Sequence, residues 1–264
     1  MEGVTDRLLV EQANGIGHLV LNQPAKHNAV SLDMWEGIAT VVGRFAQDDA
    51  VRVIVVSGAG RKAFSAGADI SEFEDKRASA DAIDHYNAVA IRANEVLAEV
   101  DKPTVAMIQG YCVGGGMGLA LACDLRIASE DARFAIPAAK LGLAYRWDDV
   151  LPLVKQVGPL FAREILYTGR QFSADEALRM GFLNRVVPRA ALEPYVAEYA
   201  GMIASNAPLT VRAVKLTVAE ALKDSGTWDR ALVDELVARC YGSEDYAEGR
   251  RAFMEKRKPE FKGR

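Results

Sequence analysis

The sequence predicts an α/β fold of an irregular kind, and three observations carry that prediction. Strand-like and helix-like segments alternate through the first two-thirds of the chain. Several strands are short and run directly into a second extended piece, unlike those of a regular barrel or a doubly wound sheet. From about residue 190 the strand signals stop, and amphipathic helices follow with breaks near Pro208, Ser225-Gly226 and Gly242.

Taken in order, Leu8 to Gln12 and Ile16 to Leu21 alternate as strands around Asn14-Gly15, a strong hairpin signal. Ser31 is placed to cap a helix through about Gln47, with Leu32, Trp35, Ile38, Ala39 and Val42 on one face. Arg52 to Val56 is a continuous β-branched run and reads as a buried strand. A polar helix starts near Ala80, with Ile83, Tyr86, Val89 and Ala90 at helical spacing. Pro103 breaks the chain before strand Thr104 to Ile108, and Asp124 to Ala128 reads as another strand. Helices follow over 150–158 and 161–168. Ser173 then caps Ala174 to Met180, and Asn184 to Val187 is a short strand.

The chain has 264 residues, half of them hydrophobic, enough for one large core with an appended unit. The expected division is 1–189 for the core and 190–264 for a helical oligomerisation region, whose apolar faces call for docking elsewhere. A net charge of −4 gives no polyanion footprint, so no nucleic-acid partner is expected. Cys112, Cys123 and Cys240 form an odd, scattered set without metal-ligand spacing. Neither a disulfide framework nor a metal site is expected, and the reading is a reducing, cytoplasmic location. No apolar window approaches a membrane span, so no membrane partner is expected.

The chemistry lies in "GYCVGGGMGLALACD", Gly110 to Asp124. Glycine is costly in regular structure, so four of them at a strand-to-helix junction imply close approach by something. A P-loop would need Gly-Lys-Ser/Thr, which is absent. Gly58-x-Gly60-x-x-Ala63 follows a strand as a dinucleotide fingerprint would, but "FSAGADI" comes where that fingerprint needs a helix.

Two segments read together point elsewhere. "KAFSAGADI" (Lys62 to Ile70) and "QGYCVGGGMGLALACDLR" (Gln109 to Arg126) resemble the signature regions of the crotonase superfamily, the enoyl-CoA hydratase/isomerase family. The resemblance continues in order through "PAKHNAVS", "ARFAIPAAKLGL", "LYTGRQFSADEALRMGFLNRVV" and "AFMEKRKPEF", spanning almost the whole chain. It implies a spiral of ββα repeats with a C-terminal helical trimerisation region, assembled as a trimer or dimer of trimers. It implies a substrate that is an acyl-CoA or enoyl-CoA thioester, with coenzyme A as part of that substrate and no tightly bound cofactor. The N–H groups of Ala68 and Gly115 are then the donors to a thioester oxyanion. By the same resemblance Lys26 meets the CoA phosphates, and Ala66, Asp69 and Ile70 line the adenine pocket. Phe253 and Lys256 match tail residues that reach CoA from a neighbouring subunit. Packing alone is the other account of the glycines, and a solvated charge run that of Lys256.

The sequence departs from the family at the glutamates that hydratases use to move protons. Gly118 and Ala138 stand at those two positions, and neither can act as an acid or base. The loop "LGLAYRWDDV" lacks the usual glycine-rich pattern. Its Tyr145 and the chain's ending are partly similar to methylmalonyl-CoA decarboxylases, in which loss of carbon dioxide makes the enolate without a base. Tyr145 is a donor to a departing carboxylate on that reading and a packing residue on the other. Asp148 is a catalytic carboxylate, as aspartates near this place are in dehalogenase and dienoyl-CoA isomerase relatives, or else a helix N-cap. Arg146 pairs with Asp148 and Asp149 or clamps a substrate carboxylate. Glu72, Glu74 and His85 fall where the family builds its acyl pocket, though such residues are more often solvated. A silent acyl-CoA binder is the competing class, and an RNA-binding relative is disfavoured by the negative charge.

Overall fold

The computed structural model describes residues 4–69, 71 and 80–264. The hairpin forms as predicted. β1 (Leu8–Ala13) and β2 (Ile16–Leu21) pair antiparallel, and Asn14 and Gly15 take φ of 53° and 80° to make the turn. After helix α1 (Leu32–Gln47) the chain repeats one unit three times. A strand of the large sheet leads within a few residues to a short strand of a second sheet. β3 (Val53–Gly58) is followed by β4 (Ala63–Ser65), β5 (Thr104–Ile108) by β6 (Tyr111–Val113), and β7 (Leu125–Ser129) by β8 (Arg133–Ala135). These are the second extended pieces legible in the sequence.

Between the units lie α2 (Ala80–Glu99), α3 (Gly115–Ala122) and α4 (Trp147–Thr168). Gly158, at φ 74° and ψ 166°, breaks α4 into the two helical pieces expected there. Next come β9 (Phe172–Ser173), α5 (Ala174–Arg179) and β10 (Arg185–Val187). Helices α6 (Leu192–Ala204), α7 (Pro208–Ala221), α8 (Arg230–Tyr241) and α9 (Glu244–Glu255) complete the chain.

The large sheet runs β1-β2-β3-β5-β7-β10 and is parallel except for β1. The small sheet runs β4-β6-β8-β9, with only β8 and β9 antiparallel. Both faces of β3 are buried, which explains why its sequence does not alternate in polarity. Ile54 and Val56 join the main core with α1, α2 and α3, while Val53 and Val55 face Leu192, Val196 and Ala200 of α6. Tyr86 of α2 enters the core as expected, but Ile83 is exposed.

The later helices attach at the N-terminal ends of the parallel strands. Lys215 of α7 donates to the Lys102 carbonyl (3.0 Å) and pairs with Asp124 (2.8 Å), and Arg212 pairs with Asp101 (2.9 Å). Arg52, just before β3, donates to the Phe261 carbonyl at 2.6 Å. Among the described residues no helix is long and apolar enough to cross a membrane.

Candidate active site

The three consecutive glycines do three different things. Gly114 is the N-cap of α3, with φ 52° and ψ −119°, a conformation that disfavours any side chain. Gly116 is there for packing, because a Cβ on it would lie 2.6 Å from the Ser65 carbonyl oxygen of β4. Gly115, between them, is half-buried and has no positive φ. A Cβ on Gly115 would lie 3.5 Å from the Ala68 amide nitrogen and 3.4 Å from the Trp35 ring. The packing account therefore holds for one glycine and not for its neighbour.

Two amides are thus brought side by side at the start of α3, where the helix dipole is positive. Among the described residues neither the Ala68 N–H nor the Gly115 N–H has a hydrogen-bond partner. Gly115 is free because first-turn helix donors have no partner within the helix. Ala68 is free because its neighbours carry the bonds. Val30 donates to the Gly67 carbonyl (2.7 Å) and Asp69 donates to the Val30 carbonyl (3.0 Å), which turns the Ala68 amide away from Val30. The Val30 carbonyl also accepts from the Tyr86 hydroxyl (3.2 Å), which accepts from the Trp35 indole N–H (3.1 Å). Tyr86 and Trp35 are each 2 % exposed, so a buried relay fixes the Val30 segment, whose isolated bridge to Ala68 orients that amide. Two adjacent free donors at a helix N-terminus can hold an oxygen that gains negative charge.

Around this pair the sequence-predicted residues fall as follows. Ala66 is exposed, and its N–H donates to the His27 carbonyl at 2.9 Å. Asp69 is 2 % exposed. Its carboxylate accepts from Lys26 (2.7 Å) and from the Ser71 hydroxyl (2.6 Å). Burial raises the Asp69 carboxyl, but these hydrogen bonds outweigh it and hold the group below the usual carboxylate range. Lys26 also donates to Ser71 (2.7 Å) and is half-exposed, so its ammonium is anchored and still reachable. Ile70, Glu72 and Glu74 lie outside the described residues, and His85 is exposed.

In the loop before α4 the structure corrects the reading of the aspartates. Helix α4 begins at Trp147 with Arg146 as its N-cap residue, so Asp148 is no N-cap. Asp148 sits exposed in the first turn. Asp149 is the one turned inward, and burial pushes its carboxyl above the usual range, with the Asp148 charge adding to the effect. Tyr145 packs on the main core, and burial, with the neighbouring Asp149 charge, raises its phenol well above the usual value. Arg146 pairs with Asp84 of α2 at 2.7 Å rather than with either aspartate.

Gly118 is half-buried and Ala138 buried. A Cβ on Gly118 would meet the Asn94 amide nitrogen at 3.7 Å. Phe253 is 82 % exposed, and Lys256, with φ 53°, ends α9. No hydrogen bond or ion pair of the described tail reaches Lys26, Ala66, Ala68 or Gly115. Sequence reasoning missed Tyr86 as a positioning residue and Asp149 as the inward carboxylate.

Spiralled strand pairs around two free amides define the class, and comparison with known proteins agrees. The chain belongs to the enoyl-CoA hydratase/isomerase family, whose sequence profile matches residues 11–264. Among individual proteins, it is 38% identical over 251 residues to a carnitinyl-CoA dehydratase of Proteus mirabilis, covering 93% of this chain and 94% of the relative. It is 34% identical over 258 residues to a crotonyl-CoA hydratase of Syntrophomonas wolfei, covering 97% and 98%. Among solved structures, an enoyl-CoA hydratase/carnithine racemase from Magnetospirillum magneticum superposes with a TM-score of 0.94 at 36% identity, over 98% of this chain and 97% of that one.

Proposed function

We propose that the protein is an enzyme of acyl-CoA thioesters that stabilises an enolate with the Ala68 and Gly115 N–H groups and lacks the two-glutamate hydratase machinery. The observation that carries this reading is the pair of adjacent, unbonded N–H groups at the N-terminus of α3. Enolisation moves negative charge onto the thioester oxygen, and fixed donors there act most strongly where water is excluded. A molecule that only held CoA would have no use for two free donors kept apart from other partners.

With Gly118 and Ala138 at the family's glutamate positions, proton transfer falls to another group. We assign it to Asp149, in place of Asp148, because Asp149 is the first-turn carboxylate of α4 that turns inward beside Tyr145, while Asp148 is exposed. Lys26, anchored by Asp69, and Ala66 hold the CoA portion. Phe253 and Lys256 belong to a tail docked where the strands begin, so their contact with CoA is made across a subunit boundary, in a trimer or dimer of trimers.

A second reading is favoured by Tyr145. Its hydroxyl has no hydrogen-bond partner among the described residues, and burial keeps it protonated. A neutral donor of this kind suits the departing carboxylate of a malonyl-type CoA. The test is turnover by the intact protein of saturated, 2-enoyl and malonyl-type CoA thioesters, followed by chromatography. Turnover of any of them supports the enzyme, and decarboxylation that Tyr145→Phe slows supports the second reading. Binding of all three with conversion of none would leave a silent acyl-CoA binder.

A further inference from the structure

Positive charge gathers where the small-sheet strands begin. Arg61 and Lys62 precede β4, Arg133 opens β8, and Arg189 follows β10. All four line a cleft of about 380 Å³, in which Asp131 is the only carboxylate among the described residues. Tyr111 and Arg133 are register partners on β6 and β8, so both side chains leave the same face of the sheet. The His27 ring lies beside Tyr111, with centroids 6.2 Å apart. Ala68 and Gly115 follow the opposite ends of β4 and β6, so a ligand in this cleft is independent of the thioester assignment.

The cations differ in what holds them. Arg189 is fixed by the Asp131 carboxylate and the Arg61 carbonyl. Arg133 donates to the Ala132 carbonyl at 2.8 Å, which leaves most of its guanidinium free. The Arg61 and Lys62 side chains make no hydrogen bond or ion pair among the described residues. Like charges drawn into one cleft repel one another and focus a field that attracts anions. The chain as a whole carries a net charge of −4, so this concentration is local and not a general basicity. We propose that the cleft binds the diphosphate group of a small phosphorylated molecule. Arginine forks meet phosphate oxygens two at a time, and lysine adds a point charge. Two linked phosphates suit the spacing, because the free cations stand at β4 and β8 on either side of β6, roughly 10 Å apart across the sheet. A long polyanion is a poor fit to charge confined to one cleft.

The experiment is isothermal calorimetry of the whole protein with pyrophosphate at low ionic strength, with and without saturating free CoA. It is run on wild type, Arg133→Gln and the double variant Lys62→Gln/Arg133→Gln. The replaced side chains are exposed, and thermal melts check that both variants stay folded. The expected result is one pyrophosphate per chain, bound about tenfold more weakly in Arg133→Gln, lost in the double variant and undisturbed by CoA. No binding to wild type, or wild-type affinity in the double variant, overturns the proposal. Displacement of pyrophosphate by CoA also overturns it, because the cleft would then belong to the CoA phosphates. Failure of CoA itself to bind counts against the thioester reading and leaves this one standing.

Discussion

At the scale of single residues, the site depends on a few groups that act by holding others. Tyr86 receives the Trp35 indole N–H and donates to the Val30 carbonyl, so its hydroxyl supports the bridge that orients Ala68. Tyr86→Phe leaves a buried indole donor unpaired and should cost about 1–3 kcal/mol in urea denaturation. An unchanged midpoint would show that the relay is not structural. Asp149 predicts a pH effect with a definite sign. Its folded carboxyl is raised, so as pH falls it takes up a proton sooner than an ordinary aspartate. If it works as the ionised base, kcat/KM falls on that side, above the usual aspartate range, and Asp149→Asn loses that limb together with most of the rate. A profile identical in Asp149→Asn rules the assignment out. The sequence could not separate Asp148 from Asp149, because the one-residue position of a helix start decides which of two neighbours turns inward.

At the scale of elements, most of the chain was legible. The Asn14-Gly15 hairpin, strand Thr104–Ile108 and the break in α4 follow from turn chemistry, β-branching and glycine placement. The three small-sheet strands β4, β6 and β8 were visible only as extended pieces, because three residues carry too short a pattern to assign a partner. The separate roles of Gly114, Gly115 and Gly116 were hidden for a different reason: they depend on what a side chain would meet across the fold. Helix α5 tests the local reading. Ser173 and Glu176 form a capping box, and Arg170 pairs with Glu176 at 2.8 Å. The backbone bond at Ser173 and the Arg170 guanidinium bring the Glu176 carboxyl down to about 2. Because the folded value is depressed, this stabilisation is complete above the ordinary glutamate value of about 4.3 and is lost as pH falls toward 2. Ser173→Ala should cost about 1 kcal/mol, measured by denaturation at neutral pH. A wild-type cap that contributes as much at pH 2 as at pH 7 would contradict this.

At the scale of the whole molecule, the chain separates two tasks. On the reading we propose, the amides of Ala68 and Gly115 face the reacting carbonyl, while Lys26, Ala66 and a tail from another subunit hold coenzyme A. The tail of each chain docks where its own strands begin, held through Arg52, Lys102 and Asp124. Val214 and Val218 lie exposed along α7 with Leu222 at its C-cap, and Val237 and Tyr241 lie exposed along α8. We expect a trimer or a dimer of trimers in light scattering at micromolar concentration, and a monomeric mass would count against assembly. The division of tasks gives the most direct test of the central claim. In Gly115→Val the added branches would lie against Trp35 and across the Ala68 amide, blocking the oxygen without touching Lys26. Turnover of the best thioester substrate and calorimetric affinity for free CoA are measured on the assembled wild type and variant. The rate should fall by about 10²–10³-fold with CoA affinity unchanged; a rate that survives the substitution would contradict oxyanion stabilisation at Gly115.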